Sequence, residues 1–81
     1  MPLAYRIVQE ILRAEQFIEV ADGYFVYHQE EAAPWLLYCP PDSEGYIDAI
    51  PLLEDIQRPT PYIDVQQRLV RRIEQALSPT L

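Results

Sequence analysis

The chain of 81 residues carries thirteen acidic side chains against six arginines and no lysine, which gives a formal net charge of −7. Nucleic-acid affinity comes largely from Lys and Arg side chains that displace counterions from phosphates, so this composition argues against direct nucleic-acid binding. Anionic membrane surfaces are disfavoured for the same reason.

The length predicts a single domain over residues 1–81. Cys39 is the one cysteine of the sequence, so no intramolecular disulfide can form, which fits a reducing compartment. No stretch approaches the ~18 consecutive apolar residues that a membrane span needs. We therefore expect a soluble cytoplasmic protein that does not insert into membranes.

The first predicted element is a helix over residues 3–16. Apolar side chains recur at helical spacing and form one stripe, while charged and amide side chains take the rest of the circumference. Pro2 suits the first turn of a helix, where a missing N–H costs nothing. The stripe comprises Leu3, Ile7, Val8, Ile11 and Leu12.

A β-hairpin is predicted over residues 17–29, because Asp22-Gly23 is a strong signal for a two-residue turn. This turn sets a register in which Ala21 faces Tyr24. The pairing then continues outward from the turn, one residue at a time on each strand. One face of the hairpin is then apolar and is expected to pack on the helices: Ile18, Val20, Phe25 and Tyr27. The other face is mixed and is expected to be half exposed: Phe17, Glu19, Ala21, Tyr24, Val26 and His28.

Trp35 to Cys39 is predicted to form a short strand, because five apolar or aromatic residues lie between Pro34 and Pro40. The run does not alternate with polar residues, so both of its faces are expected to be covered. Residues 46–50 are a further strand candidate, and Pro51 is expected to open a single helical turn.

The last predicted element is a helix that begins at Pro61, after a capping Thr60, and ends at Leu77. Its buried stripe comprises Tyr62, Val65, Leu69, Ile73, Ala76 and Leu77. The element order is therefore α-β-β-β-(β)-(short α)-α. It predicts an α+β fold in which the N-terminal and C-terminal helices pack on one face of a small antiparallel sheet of three strands, or four if residues 46–50 join.

The residues that could carry chemistry form no recognisable constellation. His28 and Cys39 are the one histidine and the one cysteine, and a nucleophilic pair would need them to be close and to have an orienting third group. The acidic loop after Pro41 lacks the spacing of a calcium-binding loop, and two glycines cannot build a phosphate-binding loop. We expect no catalytic residue, no metal and no cofactor, and an enzyme that uses His28 and Cys39 remains an alternative.

Aromatic side chains point instead to a binding surface. Two helices can cover one face of a short sheet, and the remaining apolar side chains then need another cover. Tyr and Trp combine a large rigid contact area with a polar tip and are enriched at interfaces. The candidate partner-binding residues are Tyr24, Val26, Trp35 and Tyr38. The same residues could equally complete the core, and Trp35 is the one for which core and interface are hardest to separate.

A second candidate surface lies on the final helix, where arginines at i, i+3 and i+4 share one face. Arg68, Arg71 and Arg72 could form a docking stripe for an acidic partner segment, or could simply be a solvated face.

These features favour a non-catalytic protein–protein interaction module, such as a small adaptor, assembly factor or regulatory subunit. Its partner is expected to be a second copy of the chain, a different protein, or both. The acidity leaves another hypothesis open, because residues 17–64 hold ten acids and one base. Clustered carboxylates could imitate a row of phosphates, and the protein would then be a decoy or antagonist of a nucleic-acid-binding protein.

Overall fold

The computed structural model describes residues 1–78 and confirms the predicted α+β fold. In this part of the chain, three helices pack against two antiparallel sheets, one of two strands and one of three. The strands are β1 (Pro2–Ala4), β2 (Ile18–Ala21), β3 (Tyr24–Tyr27), β4 (Trp35–Tyr38) and β5 (Tyr46–Asp48), and the helices are α1 (Tyr5–Ala14), α2 (Ala49–Ile56) and α3 (Ile63–Leu77).

The larger sheet has the strand order β2-β3-β4, as expected from consecutive antiparallel strands. Gly23 in the β2–β3 turn has a φ of 82°, a conformation that favours glycine. Its carbonyl oxygen accepts a hydrogen bond of 2.7 Å from the backbone N–H of Cys39, so the turn lies against the chain that leaves β4. A Cβ atom at position 23 would lie 2.8 Å from the Cα atom of Pro40. Glycine is therefore required both for the turn and for this close approach.

The smaller sheet was not predicted. The first helix was expected to begin at residue 3, but Pro2–Ala4 forms β1 and pairs with β5, so that Leu3 lies opposite Ile47. The expected further strand therefore exists, but it pairs with the N-terminal segment and not with the larger sheet.

Helix α2, in contrast to α1, begins earlier than predicted. The Asp48 carboxylate accepts a hydrogen bond of 3.2 Å from the backbone N–H of Ile50 and caps the helix. Pro51 then lies in the first turn, where the absent N–H has no intrahelical partner to lose.

The core lies between the helices and the inner face of the larger sheet. The largest fully buried side chains come from all three helices and from β3 and β4: Val8, Leu12, Phe25, Leu37, Leu52, Ile56, Leu69 and Ile73. Most of the predicted stripe of α3 is buried, but Ala76 near its end is exposed.

The hairpin register differs from the prediction by one residue. Ala21 lies opposite Tyr24 as expected, but Glu19, not Val20, lies opposite Phe25, because Val20 is the extra residue of a β-bulge. A shift of one residue exchanges the two faces of a strand. Ile18 and Val20, which were expected to be buried, are therefore exposed, while Phe17 is buried.

Candidate protein interaction site

A polar cluster between α1 and β2 explains the bulge. The Glu19 carboxylate accepts hydrogen bonds from the Tyr5 hydroxyl (2.6 Å), from Gln9 Nε2 (2.9 Å) and from Arg13 Nη2 (2.9 Å). The Tyr5 hydroxyl oxygen also accepts a hydrogen bond of 2.7 Å from the buried backbone N–H of Gly23. These interactions hold Glu19 toward α1, and the neighbouring apolar side chains of β2 consequently face outward.

The same cluster shifts the acidity of two of its members. The hydrogen bond from Tyr5, followed by those from Gln9 and Arg13, holds the pKa of Glu19 below its usual value despite partial burial. Burial, reinforced by the Glu19 carboxylate, raises the pKa of Tyr5 far above its ordinary value of 10.0. Glu19 is therefore ionised and Tyr5 is a neutral donor at neutral pH.

Because of this arrangement, one side of the larger sheet is apolar and uncovered by any described part of the chain. We call this side the outer face. Ile18, Val26 and Leu36 lie opposite one another and form an aliphatic row across the three strands, while the rings of Tyr24 and Tyr38 stack at 4.3 Å beside it. Val26 is half-buried, and the other exposed fractions are 67% for Ile18, 60% for Val20, 39% for Tyr24, 56% for Leu36 and 51% for Tyr38.

Three of the four candidate partner-binding residues of the sheet belong to the outer face, namely Tyr24, Val26 and Tyr38. Trp35 lies on the inner face, half-buried, with its ring centroid 5.4 Å from that of Phe17. The described chain covers only the inner face of β4, and cover of the outer face by another chain stays a prediction.

The sequence reasoning missed Ile18, Val20 and Leu36. Simple alternation along β4 could have placed Leu36 beside Tyr38. In β2, the alternation of Ile18, Glu19 and Val20 gave no local signal of the bulge.

One of the three arginines of α3 has an ion-pair partner within the described part of the chain. Arg68 Nε donates to both carboxylate oxygens of Glu15, at 3.0 and 3.1 Å, and Arg68 Nη2 lies 3.0 Å from Glu15 Oε1. This bidentate pair joins α3 to the end of α1 and gives Arg68 a structural partner. Arg71 is exposed and Arg72 is half-buried. A docking role for Arg68, Arg71 and Arg72 stays a prediction.

His28 and Cys39 are not brought together. Tyr24 lies opposite Tyr38 and Tyr27 lies opposite Trp35, so the residue after β3 and the residue after β4 are at opposite ends of the sheet. Cys39 is 4% exposed, and burial, with smaller contributions from nearby carboxylates, raises the pKa of its thiol to about 12.

The acidic loop before β5 has a local structural role. The Asp42 carboxylate accepts hydrogen bonds from the backbone N–H groups of Glu44 (2.8 Å) and Tyr46 (3.0 Å), and these bonds lower its pKa. Asp42 therefore organises the loop before β5. Among residues 1–78, no group of three or more His, Cys, Asp or Glu side chains is placed to hold a metal ion.

Charged side chains of both signs surround the outer face. Asp22 lies at the β2–β3 turn, and Glu30 and Glu31 lie beyond the opposite end of the sheet, all of them exposed. Arg13 lines a groove along the β2 edge of the sheet, and Arg58 lines one beside the end of β4. The apolar surface therefore has carboxylates at both ends of its strands and an arginine near each edge.

Comparisons with known protein families, with curated proteins and with solved structures found no match to this chain. None of the helices within residues 1–78 is long and apolar enough to cross a membrane. The chain's own surface, and the outer face above all, therefore carries the functional inference.

Proposed function

We propose that the protein is a non-catalytic interaction module that binds another protein chain through the outer face. The observation that carries the proposal is the exposure of five large side chains side by side on one sheet, each between 39% and 67% exposed. Single exposed apolar residues are ordinary on a protein surface, but contiguous ones mark sites of association.

The size of the outer face supports this function. Taking about 200 Å² for a fully exposed large side chain, the five exposed fractions correspond to roughly 550 Å² of accessible surface. The largest apolar patch on a typical monomer covers about 300–600 Å² and is often functional. A standard interface buries about 800 Å² on each partner. The outer face is thus large enough to form the centre of such an interface, with a polar rim around it.

The rigidity of the outer face also supports binding. Its side chains project from paired strands, and the Glu19 cluster fixes the bulged strand against α1. A rigid surface loses little conformational entropy on association. Tyr24 and Tyr38, already stacked on each other, supply the kind of aromatic contact that anchors many interfaces.

These properties suit a small adaptor, assembly factor or regulatory subunit. The proposal places the protein in the cytoplasm, where the single unpaired thiol of Cys39 stays reduced.

A matched pair of variants tests the proposal. Leu36 on the outer face and Ile63 on α3 are both 56% exposed, so Leu36→Asp and Ile63→Asp remove similar apolar surface and add the same charge. Each variant carries a tag and is expressed in the native host beside a second, differently tagged copy of the chain. The proteins that purify with the variant, including the second copy, are quantified by mass spectrometry.

We expect the wild type and Ile63→Asp to retain the same associated chain, and Leu36→Asp to lose it. Retention of every associated chain by a folded Leu36→Asp variant would show that the outer face is not the binding surface.

A further inference from the structure

The outer face also indicates which chain covers it. We propose that its occupant is a second copy of this protein, and that two outer faces pack on each other about a two-fold axis. This inference depends on the proposed function and makes it specific, because it names the partner.

The outer face offers the area that a stable dimer needs. Two outer faces of roughly 550 Å² each would bury about 1,100 Å² in total. A specific interface should clear about 1,000 Å², and a standard one buries ~1,600 Å². Two outer faces are therefore large enough to form the apolar centre of a dimer interface, with a polar rim around it.

The arrangement of side chains across the sheet is compatible with a two-fold axis. The aliphatic row of Ile18, Val26 and Leu36 lies beside the stacked rings of Tyr24 and Tyr38. A two-fold axis that runs across the strands places the aliphatic row of one copy over the aromatic pair of the other. The contact is isologous and closes as a dimer, the commonest symmetric assembly.

The charges around the outer face give the dimer a distinctive salt dependence. The same two-fold axis places the Asp22 end of one sheet near the Glu30 and Glu31 end of the other, and each chain carries a net charge of −7. The net negative charge of the two chains opposes their association at low salt. The Debye length falls from about 30 Å at 0.01 M salt to about 8 Å at 0.15 M, so the repulsion is screened as salt is added.

Sedimentation equilibrium of the purified protein tests the inference. We expect the wild type to dimerise, with an association constant that rises at least about tenfold between 0.01 and 0.15 M NaCl. Ile63→Asp should dimerise nearly as well as the wild type. Leu36→Asp places a charge within the aliphatic row of both copies and should weaken association by at least about a hundredfold.

Circular dichroism checks that Leu36→Asp is folded, and Leu36→Thr, which keeps a strand-forming side chain without charge, replaces it if it is not. A wild type that stays monomeric at high concentration overturns the inference, and so does a dimer that Leu36→Asp and Leu36→Thr leave intact.

Failure of this inference is distinguishable from failure of the proposed function. If the wild type is monomeric but a different host protein is lost specifically by Leu36→Asp, the outer face is a binding surface for that protein and the second copy is not its occupant. If that host protein is basic, its binding to this acidic chain would weaken as salt is added. Dimerisation would instead strengthen as salt is added.

Discussion

The two glycines of the chain offer a direct test of how the hairpin is held against β4. Gly23 and Gly45 have nearly equal positive φ values, 82° and 83°. An alanine in this conformation costs about 1–2 kcal/mol, and the entropic effect of alanine on the unfolded chain is the same at both positions. The two substitutions Gly23→Ala and Gly45→Ala therefore share every contribution except that of their surroundings.

The surroundings of the two glycines differ sharply. A Cβ atom at position 45 meets nothing within 4 Å, whereas one at position 23 lies 2.8 Å from Pro40 Cα and 3.1 Å from Pro40 N. Relief of this overlap requires the turn to move away from Pro40. That movement lengthens the 2.7 Å bond from the Cys39 N–H and the 2.7 Å bond from the Gly23 N–H to Tyr5. Loss of one buried hydrogen bond costs about 1–3 kcal/mol.

We therefore expect Gly45→Ala to lower the free energy of unfolding by about 1 kcal/mol and Gly23→Ala to lower it by about 3 kcal/mol or more. Urea denaturation followed by circular dichroism measures both, and the difference between the variants is the quantity of interest. Equal losses would refute the close packing of the turn on Pro40.

Two further predictions concern stability. The pKa of Glu19 is lower in the folded state than its ordinary value of 4.5, so the unfolded state binds more protons in that range. The contribution of Glu19 to stability is therefore present above pH 4.5 and is lost as pH falls through the folded-state pKa. As pH is lowered through this range, the free energy of unfolding should fall less steeply in Glu19→Gln than in the wild type. Parallel curves for the two proteins would contradict the hydrogen-bonded cluster around Glu19. Trp35→Ala should lower the stability of the isolated chain by about 3 kcal/mol, because it removes a side chain that packs on the core. Tyr24→Ala should lower it by about 1 kcal/mol or less, and equal losses by thermal denaturation at low concentration would show that Tyr24 is not a surface residue.

Local signals in the sequence account for the parts of the fold that were predicted. Asp22-Gly23 encodes its own turn, and the stripe of Val65, Leu69 and Ile73 encodes the buried face of α3 without reference to other segments. The β1–β5 pairing joins Leu3 to Ile47 across most of the chain, and a propensity argument that considers neighbours alone cannot find it.

Only part of the outer face could be predicted, because one of its strands depends on contacts with a distant segment. Tyr24, Val26 and Tyr38 were found because they exceed what two helices can cover. Ile18 was assigned to the wrong face because the bulge depends on hydrogen bonds that α1 makes to Glu19. Local spacing in β2 contains no trace of those bonds.

Solvent protection of the outer face in the protein's working state tests the central claim most directly. Carbene footprinting would compare the wild type diluted as an isolated chain with the same protein in extract of its native host. Leu36 is the reporter, and Ile63, which is equally exposed at 56%, is the internal reference. We predict that labelling of Leu36 falls several-fold in the extract while labelling of Ile63 stays constant. Equal labelling of Leu36 in both states would contradict the claim that another chain covers the outer face.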